Sequence, residues 1–247
     1  MGLCSPTKVG QVTQNTYTGT DNLEVMEEAI NYNRFLMSLV LDANRERRPM
    51  LDFGAGVGTF AKAFAESGLK VDCVEPDQGQ AELIKQSALH VVESIDRIPS
   101  EQYDFIYSFN VLEHIPNDRQ ALEDLYRIMR PGGRILIYVP AYQLLYSSMD
   151  RKVGHVRRYH RAELLEKLST AKFAVDRARH ADCLGFVASL MFKWSGNNSG
   201  QIDRRAVRLY DRFAFPVSRL LDGLLSRWIG KNLIVLATKP VSLSANR

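Results

Sequence analysis

Leu51-Asp52-Phe53-Gly54-Ala55-Gly56-Val57-Gly58 is the stretch on which the reading of this chain depends. Residues of strand character, Met50-Leu51-Asp52-Phe53, run directly into three glycines. A helical pattern follows from Thr59, with apolar residues at 60, 61, 64 and 65 and Gly68 as its stop. Glycines in such a turn take up backbone angles that other residues rarely adopt, and they let a ligand approach the main chain closely. The spacing narrows the choice of ligand. Gly54 and Gly56 begin the Gly-x-Gly-x-x-Gly of a dinucleotide-binding turn, but Thr59 stands where its last glycine belongs, and the third glycine is Gly58. The turn holds no lysine, which excludes an ATP-type phosphate loop. An acid, Asp52, precedes it and suits a cationic group better than a pyrophosphate. A second acid, Glu75, ends the next apolar run, where a carboxylate can accept hydrogen bonds from both hydroxyls of a ribose.

The same alternation extends outward. Val71 to Glu75, closed by Pro76, predicts a second strand, and Leu89 to Val92 a short third. Phe105 to Phe109 predicts a fourth, Arg134 to Val139 a fifth stopped by Pro140, and Leu233 to Ala237 a late one. Helical patterns over Thr59–Ser67, Gln78–Ala88 and Asp118–Met129 fit between them, the last ending before Pro131-Gly132-Gly133. Strands alternating with helices predict an α/β fold, a mostly parallel sheet covered on both faces. Ligands of such sheets bind at the carboxyl ends of the strands, near the point where strand order reverses. No internal repeat or low-complexity segment is visible, and Asn197-Asn198-Ser199-Gly200 is the strongest loop signal.

Composition sets outer bounds. The 247 residues are 45% hydrophobic and 24% charged, which excludes a disordered chain, a collagen-like fibre and a disulfide-stapled miniprotein. The net charge of +4 is too small to argue for nucleic acid by itself. Cys4, Cys73 and Cys183 are odd in number and far apart, with neither metal spacing nor a disulfide framework, so a reducing, cytoplasmic setting is expected. Met1 to Pro6 lacks the apolar run of a signal peptide, and Pro6 stands where an acylation site wants Ser or Thr. No apolar stretch approaches the roughly 18 residues of a spanning helix.

Four motifs in order carry a family resemblance: Leu51 to Gly58; Val74-Glu75-Pro76-Asp77; Tyr103-Asp104-Phe105-Ile106 followed by Asn110 to Ile115; and Pro131-Gly132-Gly133-Arg134-Ile135-Leu136. Together they resemble the class I S-adenosylmethionine-dependent methyltransferases. The resemblance implies a doubly wound, mostly parallel seven-stranded sheet with one antiparallel strand near its edge, Phe173–His180 and Leu233–Lys239 being the final pair. It implies S-adenosyl-L-methionine as cofactor and S-adenosyl-L-homocysteine as product. Carried over residue by residue, Asp52 holds the methionine amino end through the loop, and Gly54, Ala55 and Gly56 line the methionine and ribose. Glu75 binds the ribose hydroxyls and Pro76 lies against the adenine. Ser94 and Ile95 stand where the family often has an Asp and a small residue beside the adenine, so the chain departs from the pattern there. Asn110 lies close to the methionine moiety. Asn31-Tyr32-Asn33 sits in a helical pattern (Leu23, Met26, Ile30, Phe35, Leu36) that Asp21 with Glu24 can cap. By resemblance this helix covers the cofactor, with Tyr17 or Tyr32 touching the methionine end or the substrate; ordinary helix packing is the other reading of Tyr32. The chain divides into an N-terminal helical cap (1–48), a core (49–180), a helical insertion or lid (181–231) and a last strand (232–240).

Methyl transfer needs positioning and desolvation above all, and a base only where the acceptor carries a proton. Of the histidines, His114 follows Glu113 just beyond the fourth strand. Asn110, Glu113 and His114 can face one another on a helical turn, and some methyltransferases of quinone precursors place a metal on similar residues. Asn110 replaces an acid there, so no metal is expected. After the fifth strand comes Asp150-Arg151-Lys152-Val153-Gly154-His155-Val156-Arg157-Arg158-Tyr159, with the Gly-His-x-Arg-Arg-Tyr stretch of the family branch this chain resembles. Arg157, Arg158 and Tyr159 are candidates to bind an anionic acceptor, because guanidinium forks match carboxylate or phosphate. His155 is a candidate base, with His114 behind it. The competing reading is a solvated basic loop, or Arg157 paired internally with Asp150.

The stretch before the last strand is long. Asp182 to Trp194 is apolar, and Phe213, Val217, Leu220, Leu221, Leu224, Leu225 and Trp228 recur at helical spacing. From Gln201 to Lys231 seven basic residues face three acids, a surplus equal to that of the whole chain. A cap on its own domain, a lid over an apolar acceptor pocket and an interfacial membrane helix all suit this pattern; cap or lid ranks ahead of peripheral membrane contact. The expected partner is a small-molecule acceptor, of acidic, amphiphilic or lipid-linked character. With no Asn-Pro-Pro-Tyr-type motif and no separate recognition domain, nucleic acid is not expected. A nicotinamide oxidoreductase and a non-catalytic cofactor-binding module are the alternatives. Nothing in the sequence bears on oligomeric state.

Overall fold

The computed structural model describes residues 25–195, 199–201 and 203–241. Seven strands form one sheet in the order β3-β2-β1-β4-β5-β7-β6. They are β1 (Met50–Phe53), β2 (Val71–Val74), β3 (His90–Val92), β4 (Tyr103–Phe109), β5 (Met129–Pro140), β6 (Ala174–Ala181) and β7 (Asn232–Thr238). All neighbours are parallel except β7, which runs antiparallel to both β5 and β6. This is the doubly wound, mostly parallel sheet that the motifs implied. Strand order reverses between β1 and β4, so the carboxyl ends of β1, β2 and β4 converge on one crevice.

The sheet is buried on both sides, and its strands divide their side chains accordingly. On β4 and β5, Ile106, Ile135, Ile137 and Val139 point into one core with Leu122, Leu125 and Leu164. Phe105, Tyr107, Leu136 and Tyr138 point into the other, with Leu36, Val40, Phe64 and Ile84. The first core is closed by α4 (Asp118–Ile128) and α6 (Arg161–Thr170). The second is closed by α1 (Ile30–Ala43), α2 (Thr59–Glu66) and α3 (Gln78–Lys85). A short helix, α5 (Ser148–Lys152), follows β5.

Two departures from the sequence reading have local causes. Strand β5 begins at Met129 and passes through Pro131-Gly132-Gly133 instead of starting after it. Gly132 N–H donates to the Lys239 carbonyl and Lys239 N–H to the Gly133 carbonyl, both at 2.8 Å, so the Pro-Gly-Gly turn is held as part of the sheet. Gly133 admits no side chain, because a Cβ there would lie 2.8 Å from the Arg130 carbonyl oxygen. The N-terminal helical pattern is interrupted at Ala29, and α1 starts at Ile30. Its cap comes from far away: the Asp211 carboxylate accepts from the N–H groups of Asn31 and Tyr32 at 2.9 and 2.8 Å. Asp21, Leu23 and Glu24, like Tyr17, Met1 to Pro6, and Asn197 and Asn198, lie outside the described residues.

Between β6 and β7, α7 (Cys183–Trp194) is followed by α8 (Arg204–Leu209), a wider turn over Tyr210–Ala214, and α9 (Phe215–Leu225), the last three continuous in helical backbone angles. The inner face of this rod is buried at Asp211, Phe215, Ser218 and Asp222. Asp222 accepts from the N–H groups of Asp182 and Cys183 at 2.8 and 3.0 Å, and Phe215 packs on Tyr32 and Phe35.

Candidate active site

The turn after β1 is shaped by its glycines. Gly54, Gly56 and Gly58 all lie in the left-handed region, at φ of 79, 59 and 81°. A Cβ on Gly54 would sit 2.4 and 2.6 Å from the two methyl carbons of Val111, so the turn presses directly against the chain leaving β4. The N–H groups of Gly54 and Ala55 both donate to the Val74 carbonyl, tying the turn to β2.

Two buried acids flank this turn. Glu75 accepts from the Gly56 N–H at 2.7 Å on one carboxylate oxygen and from the Asp77 N–H at 2.9 Å on the other. Each oxygen keeps a lone pair for a further donor. Burial raises the Glu75 carboxyl above its ordinary range, opposed by those two N–H groups. Asp52, 3% exposed, accepts from the Tyr107 hydroxyl at 2.8 Å. Burial pushes it up to about 7, against the lowering effect of that hydroxyl. Among the described residues neither acid forms an ion pair. Two buried carboxylates with no protein cation fit a ligand that brings a cationic group and a diol, and the left-handed glycines let it approach the main chain. Ser94 caps a short turn over Ile95–Arg97 just after β3, and both Ser94 and Ile95 are half-buried, while Pro76 is exposed.

Beyond β4, Asn110 adopts φ 54° and donates its N–H to the Tyr138 carbonyl at 2.8 Å. The Tyr32 ring meets Tyr138 edge-on at 6.1 Å, and burial pushes Tyr32 up to about 12, so it stays neutral. The structure thus brings α1, β4 and β5 together at one strand edge.

The loop after β5 is held by its own charges. Arg158, 3% exposed, grips Asp150 through two hydrogen bonds of 2.7 and 2.9 Å. His155 Nδ1 lies 2.7 Å from the same carboxylate. Burial alone would raise Asp150, but hydrogen bonds from His155 and Arg158 hold it well below the usual carboxylate range. Arg157 pairs with Asp118 at 2.7 Å and not with Asp150, and it donates to the Pro116 carbonyl. Tyr159 is fully buried, its hydroxyl on Asp118 at 2.7 Å and on the Leu112 carbonyl at 3.1 Å. Of the groups that the sequence offered to an anionic acceptor, Arg158 and Tyr159 are therefore committed to internal acids, while Arg157 pairs with Asp118 and stays partly exposed.

His155 presents its other nitrogen, Nε2, 3.7 Å from Glu113. Glu113 is fully buried with neither carboxylate oxygen hydrogen-bonded, and burial pushes it up to about 8. His114 stacks edge-on against His155 at 4.7 Å between ring centres, and burial lowers it to about 4. Ligand atoms of Glu113, His114 and His155 lie within 4.8 Å of one another, close enough to share a divalent ion. The expectation of no metal rested on Asn110 in place of an acid; the fold supplies His155 as a third donor instead.

Sequence reasoning missed Tyr107 and Tyr138, polar residues set into otherwise apolar strand runs, and the anchoring acid Asp118; it raised Asp150 as an internal partner but with Arg157 in place of Arg158. A hydroxyl in the middle of a buried strand is a signal in itself, since it needs a partner.

This sheet order, with a glycine turn after β1, an acid ending β2 and an antiparallel β7, defines the class I S-adenosylmethionine-dependent methyltransferases. The profile of the family described as "Methyltransferase domain" matches residues 26–180, more than half of the chain. The chain belongs to that family, and its cofactor is S-adenosyl-L-methionine. An "Uncharacterized methyltransferase" of Mycobacterium leprae is 33% identical over 97 residues, covering 36% of each chain. A "Probable S-adenosylmethionine-dependent methyltransferase" of Mycolicibacterium smegmatis is 27% identical over 136 residues, 52% of this chain and 53% of the relative. The chain spans between about a third and a half of the length of these curated relatives. Among solved structures, the 1,6-didemethyltoxoflavin-N1-methyltransferase of Burkholderia thailandensis, with S-adenosylhomocysteine bound, superposes with a TM-score of 0.56. It is 18% identical, over 90% of this chain and 84% of that one, a likeness of fold.

Proposed function

We propose that this protein transfers a methyl group from S-adenosyl-L-methionine to a small-molecule acceptor carrying a protonated nucleophile. The observation that carries this reading is the pair of buried acids, Asp52 and Glu75, set against left-handed glycines without a cation of their own. When bound, the cofactor supplies a methyl carbon on a positively charged sulfur, a leaving group that needs no protonation.

The chain's residues have the remaining tasks. Glu75, fixed by two N–H groups, accepts from the ribose hydroxyls, and Asp52 faces the cationic methionine end through the turn. Gly54, Ala55 and Gly56 admit the ligand to the backbone, while Ser94, Ile95 and Pro76 border the base. Tyr32 and Asn110, from α1 and the end of β4, bound the methyl side and exclude water. Asp150 holds His155 by Nδ1, which leaves Nε2 as the nitrogen that takes the acceptor's proton, the arrangement of an oriented general base. Arg158 and Tyr159 position this loop instead of binding the acceptor. Arg157, its side chain 24% exposed, retains one side toward solvent and is the one member of the pair able to meet an acidic acceptor.

Calorimetric titration with S-adenosylhomocysteine and with NADH tests the cofactor. Heat with the first and none with the second is expected; heat with NADH alone overturns the reading in favour of an oxidoreductase. A screen of metabolite extracts for transferred labelled methyl then separates an enzyme from a binding module. His155→Ala is expected to lower kcat by about 10²–10⁴-fold while the dissociation constant for S-adenosylhomocysteine stays unchanged.

A further inference from the structure

The rod formed by α8, the wide turn and α9 presents two opposite faces, one buried and one apolar and exposed. Its inner face, Asp211, Phe215, Ser218 and Asp222, is buried against α1 and α7. Its outer face carries Leu209, Phe213, Val217, Leu220, Leu224 and Trp228 at spacings of three and four, each from 50 to 81% exposed. Leu220 and Leu224, at 81 and 78%, touch almost nothing of their own fold. A cap turns its apolar residues inward, and a lid buries them over the pocket it closes. This rod is already anchored through its inner face, so the outer stripe serves neither purpose.

Charge selects the occupant. The rod's two later acids are turned inward, where Asp211 caps α1 and Asp222 caps α7. Three of its arginines are engaged by the fold, Arg204 and Arg208 with Glu28 and Arg219 with Asp222 and the Phe35 ring, while Arg205, Arg212 and Arg227 are exposed and by helical spacing lie along one flank of the stripe. A second copy meeting this face in antiparallel register would bring arginine flank toward arginine flank, and in parallel register it would leave both flanks without a countercharge. Anionic headgroups would meet the same flank with opposite charge while the stripe enters the acyl boundary. Trp228 at the end of the stripe, and Trp194, 77% exposed at the end of α7, are residues that favour the membrane–water boundary. No helix among the described residues is long and apolar enough to cross a membrane, so the contact would be interfacial.

We infer that the outer face of the α8–α9 rod docks in the plane of an anionic phospholipid bilayer through its leucine–tryptophan stripe and flanking arginines. The inference does not depend on the methyl-transfer reading. If both hold, docking has a consequence for the acceptor: Phe215, on the inner face of the same rod, packs on Tyr32 at 5.7 Å, so the methyl side of the site lies directly behind the membrane-facing surface. An amphiphilic acceptor could then be taken from the bilayer.

The test is flotation of the full chain with vesicles of phosphatidylcholine alone and with vesicles containing a third phosphatidylglycerol. Binding to the anionic vesicles, weakened by salt, is expected. Leu220→Ser with Leu224→Ser is expected to reduce it at least tenfold, while melting temperature and affinity for S-adenosylhomocysteine remain as in the parent. Arg212→Glu with Arg227→Glu is expected to reduce binding to anionic vesicles and leave melting unchanged. Absence of flotation, equal binding to neutral vesicles, or flotation indifferent to both variant pairs overturns the proposal. So does a dimer in sedimentation equilibrium that disappears in the leucine variant while no vesicle binds, which would assign the face to a second copy.

Discussion

The carboxyl edge of the sheet holds two sets of buried acids that have been treated in opposite ways. Beyond β1 and β2, Asp52 and Glu75 receive only a hydroxyl and backbone N–H groups, and burial raises both. Around the loop after β5, Asp150 and Asp118 are surrounded by Arg158, His155, Arg157 and Lys167. Burial would raise these too, yet their hydrogen-bonded cations hold both below the ordinary range. The two pairs thus differ in whether the fold provides the countercharge, and Glu113, buried beside the loop without a hydrogen bond and raised to about 8, behaves like the first pair. Where it does, the acid locks a loop. Where it does not, the charge waits for a ligand, and the fold carries a cost in stability until the ligand arrives.

The loop side gives the largest expected effect. Arg158→Ala leaves Asp150 buried with only the hydrogen bonds of His155 and Ser147, and breaking a buried pair in this way costs about 3–5 kcal/mol. Urea unfolding of parent and variant measures it, and a change within a few tenths would show that the Arg158–Asp150 pair is not what closes the loop. On the other side the sign reverses. Asp52 titrates near 7 in the folded chain against an ordinary value of 3.8. The folded state therefore holds its proton more tightly than the unfolded one, and stability falls as pH rises from about 4 to about 7. Asp52→Asn removes that loss while its amide oxygen still accepts from Tyr107. The variant is expected to match the parent near pH 4 and to exceed it by about 2–4 kcal/mol above pH 7, where the difference levels off. Thermal unfolding across that range would show the widening gap; parallel curves would remove Asp52 from the uncompensated set.

Much of this contrast was legible before the fold was known, and the part that was not has a physical cause. Strand β1 and the starts of α2, α3 and α4 lie where the apolar pattern and the glycines place them, because local propensity and burial agree there. The glycine turn and the two acids after it could be singled out because one short segment carries the whole device. Partner choice could not. Arg157 and Arg158 are adjacent and chemically identical, and only the packed loop sends one to Asp118 and the other to Asp150. Likewise Asp211 and Asp222 read as ordinary acids in a basic helix, whereas they cap helices 180 and 40 residues away in sequence. Contacts set by tertiary closure leave no periodic trace, so the acids beside the glycine turn were readable and the partners of the structural ones were not.

Glu75→Gln sharpens the same comparison at smaller scale. The amide keeps one oxygen for a backbone N–H but sets an NH₂ group against the other donor and lacks the charge for the ribose. Loss of a charged hydrogen-bond acceptor is worth about 1.5–3 kcal/mol, or roughly ten- to two-hundred-fold in the dissociation constant for S-adenosylhomocysteine. Affinity within twofold of the parent would take the ribose role away from Glu75.

The smallest effect is the one that distinguishes a waiting charge from a merely buried one. If Asp52 meets the cationic methionine end, binding must lower its titration point from about 7, because the ligand supplies the countercharge that the fold withholds. Between the lowered value and 7, binding then releases a proton. Affinity for S-adenosylhomocysteine is expected to rise with pH up to about 7, by at most tenfold per pH unit, and to be flat above it. Calorimetry at pH 6 in two buffers of different ionisation heat would read the released proton directly as a difference in apparent enthalpy. Asp52→Asn should abolish that difference and flatten the profile, and any slope left at lower pH would belong to Glu75, whose carboxyl is raised as well. On the loop side Asp150 and Asp118 contribute nothing over this range, being already held ionised by their own partners, and Glu113, raised to about 8, keeps its proton at pH 6. A proton released by the parent and still released by Asp52→Asn would place the titrating group elsewhere, and the division of these acids into a compensated and an uncompensated pair would no longer stand.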